Sequence, residues 1–212
     1  MGNRLEEIYC LLYDVYGPQG WWPADTQFEV IVGAVLTQNV AWKNVERAIE
    51  NLKNADALEP EKLIGLEKEK LALLIKPTGF YNAKSETLLR VTKAYLSERW
   101  EDLSTKELRK RLLKIKGIGK ETADSIILYA FDRAIFVVDK YTVRFVTRLG
   151  ITTHETYDEV QRIFHEQLKP DVELYKEYHA LIVEHAKKYC KKQPDCAGCF
   201  IGDCKFRKES QI

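Results

Sequence analysis

An all-α fold follows from three features of the 212-residue sequence. Apolar residues recur at helical spacing along most of the chain, no segment alternates like a half-buried strand, and glycines and prolines punctuate it at helix-length intervals. There is no internal repeat. Hydrophobic residues make up 45% of the chain, enough for one large domain or two small ones with real cores, and disorder is not expected. No stretch approaches the ~18 consecutive apolar residues of a membrane span. The N-terminus, Met1-Gly2-Asn3-Arg4-Leu5-Glu6-Glu7, lacks the basic and apolar regions of a secretion signal, so a cytoplasmic protein without membrane contact is expected. Net charge is only +1, so any affinity for nucleic acid has to come from local clusters of lysine and arginine. The segment from Ala186 to Ile212 is one such cluster, with seven basic residues against three acidic ones.

Taken in order, residues 4–16 place Leu5, Ile8, Leu11, Leu12 and Val15 at helical spacing, with Cys10 as a core residue and a stop at Gly17-Pro18. Gln19-Gly20-Trp21-Trp22-Pro23 cannot continue that helix. It concentrates two of the four tryptophans in a turn, either as a hydrophobic plug or as the aromatic wall of a pocket. Phe28 to Leu36 reads as a buried helix, and after Thr37-Gln38-Asn39 a second helix shows Trp42, Val45, Ala48, Ile49 and Leu52. Gln38 thus lies in a tight connection, where a loop amide usually bonds to backbone. Helical patterns recur over Glu61–Leu74, Lys84–Leu96 and Thr105–Ile115, with a glycine-containing turn at Lys76–Asn82.

The densest stretch is Leu112 to Asp139. Lys116-Gly117-Ile118-Gly119-Lys120 interrupts a helical pattern carried by Leu108, Leu112 and Ile115 before it and Ala123, Ile126, Ile127 and Ala130 after it. Two glycines one residue apart permit a tight turn, and the amides opening the second helix make an anion site. The apolar run Ile135-Phe136-Val137-Val138 then ends on Asp139, followed by helices over Lys140–Leu149, Thr156–Leu168 and Tyr175–Tyr189. His154, His165, His179 and His185 have no ligand spacing with one another and are read as core or surface residues.

Cys190, Cys196, Cys199 and Cys204 are spaced C-x5-C-x2-C-x4-C. Thiols so crowded in an intracellular chain point to metal rather than disulfides. A single C-x2-C pair with two wider gaps favours a [4Fe–4S] cluster over zinc, with the loop shaped to meet DNA phosphates.

These motifs together resemble the helix-hairpin-helix and Gly-Pro-Asp superfamily of DNA glycosylases, in its endonuclease III branch. The markers are Leu36-Thr37-Gln38-Asn39, Gly79-Phe80-Tyr81-Asn82-Ala83-Lys84, the hairpin Lys116 to Thr122, Val138-Asp139 and the four cysteines, both of whose outer gaps are one residue shorter than is usual there. The resemblance implies two helical domains with duplex DNA and a flipped, damaged base held between them: a six-helix barrel over residues 22–133, and a discontinuous domain of residues 1–21 and 134–212 that ends in the cluster loop. It implies a monomer. It assigns Asp139 as the catalytic carboxylate, a role compatible with a helix N-cap, where negative charge is stabilised. Gln38 matches the residue that fills the space left by the extruded nucleotide, and Asn39, Lys84, Lys116, Gly117, Gly119 and Lys120 are expected on the DNA side.

Bifunctional members carry a lysine two residues after the second hairpin glycine, where this chain has Glu121. Lys120 is one residue earlier, and about 100° of rotation points it elsewhere. Lys140 is the other candidate amine, read as a phosphate contact. A monofunctional enzyme using water is therefore expected. Trp21, Trp22, Pro23 and Trp42, with Lys140 beside them, resemble the base pocket of the 3-methyladenine subgroup, whose cationic substrate is well matched to indole faces. A glycosylase for mismatched thymine or uracil, or for hypoxanthine, is the rival within the class. A non-catalytic helix-hairpin-helix DNA-binding module is the rival outside it.

Overall fold

The computed structural model describes residues 3–209, and its elements are all helical. The first two and last three residues of the outer domain expected from sequence lie outside the described residues. In chain order the helices are α1 (Arg4–Tyr16), α2 (Gln27–Leu36), α3 (Trp42–Asn54), α4 (Pro60–Ile64), α5 (Lys68–Leu74), α6 (Tyr81–Ser97), α7 (Thr105–Leu112), α8 (Lys120–Ala130), α9 (Lys140–Leu149), α10 (Tyr157–Gln167), α11 (Val172–Lys188) and α12 (Lys205–Glu209). Two compact units emerge, one spanning Trp22–Arg133 and the other made of Met1–Trp21 with Ala134–Ile212. Among the described residues no helix is long and apolar enough to cross a membrane.

The central unit is organised on α2, whose residues from Phe28 to Leu36 are all buried. It packs on α6 and α8. The buried Glu29 is matched by Lys53 at 2.9 Å and by the Asp25 amide at 3.1 Å. A deeper ion pair joins the hairpin helices. Asp124, whose side chain is 0% exposed, takes Arg109 Nε at 2.6 Å and Arg109 Nη2 at 3.0 Å. The apolar pattern of Glu61–Leu74 predicts one helix, but the chain breaks after Ile64 at Gly65 and restarts at Lys68. Periodicity survived because the break inserts about one turn, and Pro60 and Gly65 mark the ends of α4 in the way those residues do.

In the outer unit, α1 begins with a capping box in which Asn3 and Glu6 bond reciprocally. Leu5, Ile8 and Leu12 are buried, whereas Leu11 and Val15 are exposed. Cys10, expected in the core, is exposed as well. At ~100° per residue it falls on the face opposite the Leu5, Ile8 and Leu12 stripe. The run Ile135–Val138 is buried and lies in neither a helix nor a strand. Side chains of α10 serve its backbone instead: the Phe136 amide donates to His165 Nε2 at 2.9 Å, and Gln161 Nε2 donates to the Phe136 carbonyl at 2.6 Å. Phe136 stacks on Phe164 with ring centroids 3.7 Å apart, and Tyr175 and Tyr178 pack edge-on against it.

The Arg109–Asp124 pair supplies a test of the hairpin's anchoring. Arg109→Ala leaves a buried carboxylate without its guanidinium and is expected to lower the unfolding free energy by about 3–5 kcal/mol in a urea titration. Arg162→Ala, which removes an exposed i,i+4 pair with Glu166, should change it by less than about 1 kcal/mol.

Candidate functional site

The hairpin is built by close approach. Gly117 adopts φ +101°, and a Cβ there would lie 2.1 Å from Thr87 Oγ1 on α6, so only glycine brings this turn against that helix. Gly119 caps α8 with no side chain to offer, leaving a glycine-flanked helix N-terminus on an exposed turn. Lys116 and Lys120 are exposed beside it. Gln38 reaches across from the turn after α2, its Nε2 donating to the Gly117 carbonyl at 3.0 Å and to Thr122 Oγ1 at 2.9 Å. Two motifs 79 residues apart in sequence are thereby joined. Asn39, next to it, is exposed with φ +54°.

Lys84 is a correction. Expected at the DNA surface, it is 4% exposed, and its ammonium donates to the Leu36 carbonyl at 2.8 Å and the Thr78 carbonyl at 2.9 Å. The reason is chain direction: α6 starts at Tyr81, which turns position 84 inward over the two carbonyls. Burial lowers its pKa from 10.5 to about 8. Lys84 thus ties the turn that carries Gln38 to the turn that carries Phe80. Phe80 was missed in the sequence as a site residue. It is 76% exposed at φ +47°, an apolar ring displayed on a strained turn, which is the kind of group that wedges between stacked bases.

The aromatic residues fall on both units. In the central unit Trp22 meets Trp42 nearly perpendicularly at 5.4 Å and Tyr129 at 5.2 Å. Gly33 makes room for it, since a Cβ there would come within 3.0 Å of the Trp22 indole nitrogen. Trp22, Pro23, Gly33 and Trp42 share one groove with Glu46 and Glu50. In the outer unit Trp21 packs edge-on against His179 at 5.7 Å, with the Lys187 ammonium 5.9 Å from its ring centroid.

Asp139 is the N-cap of α9. Its Oδ1 accepts from the Thr142 amide at 2.7 Å and from Thr142 Oγ1 at 2.9 Å. Oδ2 lies 3.9 Å from Nε2 of His179, a buried residue of α11 that sequence spacing did not single out. Burial holds His179 below the usual histidine range, against the pull of Asp139. Lys140 is exposed, its ammonium 5.6 Å from the Tyr141 ring centroid. Glu121 stands exposed in the first turn of α8.

Cys190, Cys196, Cys199 and Cys204 line a single cavity with Phe145, Leu149 and Ile201. Among the described residues no three or more His, Cys, Asp or Glu side chains are gathered to hold a metal ion. Burial pushes the Cys199 thiol up, so a metal centre is what would hold it as thiolate. The loop is pinned from α9: Arg144 Nε donates to the Cys190 carbonyl at 2.8 Å, and Arg148 Nη1 donates to the Lys191 carbonyl at 2.6 Å.

The family described as HhH-GPD superfamily base excision DNA repair protein matches residues 32–170. A protein of Methanocaldococcus jannaschii named "Putative DNA repair glycosylase" is 53% identical over 211 residues, covering 94% of this chain and 96% of its own. Endonuclease III of Thermotoga maritima is 29% identical over 84% of this chain and 83% of its own. Among solved structures, the H. pylori 3-methyladenine DNA glycosylase bound to 1,N6-ethenoadenine superposes with a TM-score of 0.77 at 34% identity, covering 87% of this chain and 97% of that one. A trapped endonuclease III–DNA covalent intermediate reaches 0.84 over the full length of both chains, at 20% identity.

The inward placement of Lys84 separates it from the surface lysines. Lys84→Met is expected to cost about 1–3 kcal/mol of stability, because two buried carbonyls lose their donor, and to leave the salt dependence of duplex binding unchanged. Lys116→Met should reduce that salt slope by about 1 with little effect on stability. Between pH 8 and 10.5 the unfolded chain holds the Lys84 proton more tightly than the folded one, so stability of the wild type relative to Lys84→Met rises with pH across that window.

Proposed function

The chain belongs to the HhH-GPD superfamily of base excision DNA repair proteins, and within that family of DNA glycosylases we propose that it is a monofunctional enzyme for alkylated purines of the 3-methyladenine type. It extrudes the damaged nucleotide from duplex DNA, hydrolyses the N-glycosidic bond and leaves an abasic site in an intact strand. The observation that carries the reaction type is Glu121 in the first turn of α8. A carboxylate there offers no amine to attack the sugar and form a Schiff base. Water is then the nucleophile.

Extrusion comes first, since the reacting atoms are hidden in the duplex. The amides around Gly117 and Gly119 and the exposed Lys116 and Lys120 hold the phosphate backbone, with Asn39 beside them. Gln38 leaves its two hydrogen bonds to the hairpin and fills the vacated space. Each such bond is worth about 1 kcal/mol net, a small cost against what stacking in the gap returns. The cationic base stacks on indoles, for which Trp21, Trp22 and Trp42, with Pro23, are the residues we assign. This substrate class is supported by the 34% identity to a 3-methyladenine DNA glycosylase. Such a base is already a good leaving group, so no strong general acid is required. Asp139 uses Oδ1 for the helix cap, so Oδ2 is the oxygen that stabilises the positive sugar and orients water. Lys140 contacts phosphate.

Cys190, Cys196, Cys199 and Cys204 would hold a [4Fe–4S] cluster, which when bound cross-links the basic loop against DNA. The protein acts as a monomer, in the cytoplasm at the nucleoid.

The test is a panel of duplexes, each with one lesion, incubated with wild type and Asp139→Asn. Wild type is expected to release 3-methyladenine, and Asp139→Asn should be slower by at least about 100-fold. Release of only uracil, thymine or hypoxanthine overturns the substrate class, and release from no duplex favours a DNA-binding module. Glu121→Lys is expected to gain a covalent complex trapped by borohydride that the wild type does not form.

A further inference from the structure

Besides its thiols and apolar wall, the cysteine cavity is lined by Arg148, Asp195, Arg207 and one histidine. His185, on the last turn of α11, is 1% exposed. Its Nε2 lies 3.6 Å from Cys199 Sγ, and its Nδ1 lies 3.0 Å from the hydroxyl of Tyr16, the last residue of α1. Packing sets the plane of the ring, with Phe145 edge-on at 5.4 Å and Phe200 edge-on at 5.2 Å.

A neutral imidazole carries one N–H, and its position depends on what each nitrogen meets. A thiolate has no hydrogen to give, so the nitrogen facing it has to be the donor. The tyrosine hydroxyl can donate, and when it gives its hydrogen to Nδ1 the ring hydrogen sits on Nε2, toward Cys199. Both ends of the ring therefore demand the same tautomer. This is the arrangement by which metal-site histidines and their partners are held in one orientation.

We propose that Tyr16 and His185 form a hydrogen-bond relay that delivers an N–H···S bond to the Cys199 thiolate and thereby sets the reduction potential of the iron–sulfur cluster. The inference rests on the cluster reading given above. His185 is a positioning residue here, acting through Cys199. Arg148 makes a comparable contact, Nη1 to Cys190 Sγ at 3.4 Å, but it also holds the carbonyls of Lys191 and Lys192, so its removal would disturb the loop. The histidine contact can be removed with the four thiols left in place. A donor to a ligand sulfur stabilises the more reduced, more negative cluster, so losing it makes the potential more negative.

The experiment compares purified wild type, His185→Phe, His185→Gln and Tyr16→Phe by iron and sulfide content, visible absorption and midpoint potential on a DNA-modified electrode. At equal cluster content, His185→Phe should shift to a more negative potential and Tyr16→Phe should shift less in the same direction. His185→Gln, whose amide N–H reaches the position of Nε2, should return toward wild type. Should His185→Phe lose its cluster on purification, Tyr16→Phe decides alone, because it removes one hydroxyl. An intact cluster with an unshifted potential in Tyr16→Phe and, where it is loaded, in His185→Phe overturns the relay. Wild type purified without iron and sulfide overturns the cluster reading and the relay with it.

Discussion

The carboxylate of Asp139 is fixed by the helix that it begins. Two hydrogen bonds from Thr142 to Oδ1 start α9 and leave the carboxylate a single rotamer, with Oδ2 turned toward His179. The approach to that cap is equally constrained. Residues 135–138 are buried in the outer unit's core, and the Phe136 backbone groups are met by His165 and Gln161 of α10. In the catalytic role proposed for Asp139, a carboxylate held at the end of a buried, side-chain-bonded segment would act as preorganised charge, needing no reorganisation at the moment of reaction.

The central unit solves a different problem, which is to hold three turns in register. Lys84 satisfies a carbonyl from each of the turns that carry Gln38 and Phe80. Gln38 in turn bonds Gly117 of the hairpin, and Gly117 is pressed on Thr87 one helical turn beyond Lys84. A single buried ammonium and one close glycine contact thus gather the groups assigned to DNA. In this state Gln38 is stored on the hairpin, consistent with the bland reading of a loop amide bonded to backbone. On the proposed function these two bonds are exchanged for contacts with DNA.

What was legible in the sequence follows from range. Local periodicity and caps located α3 and α9 well, because Val45, Ala48 and Leu52 and then Phe145, Val146 and Leu149 lie at spacings that only a helix places on one face. The all-α class and the family resemblance followed from such patterns and from short motifs. The same periodicity puts Cys10 off the apolar stripe, where the expectation of a core residue misplaced it, but it could not show that Glu61–Leu74 breaks at Gly65, since the spacing resumes in phase. Lys84, His179 and His185 were misread or unassigned for a further reason. Their roles come from partners 48, 40 and 169 residues away, at Leu36, Asp139 and Tyr16. No local pattern encodes such a partner.

In the proposed reaction water, directed by Asp139, and not a lysine amine, breaks the glycosidic bond. It is tested most directly by following a 5′-labelled duplex with one 3-methyladenine on a denaturing gel under excess enzyme, with half of each sample treated with alkali. Strands are expected to stay full length until alkali is added and then to be cut at the lesion. Cutting at the lesion before alkali, at the rate of base release, would contradict it.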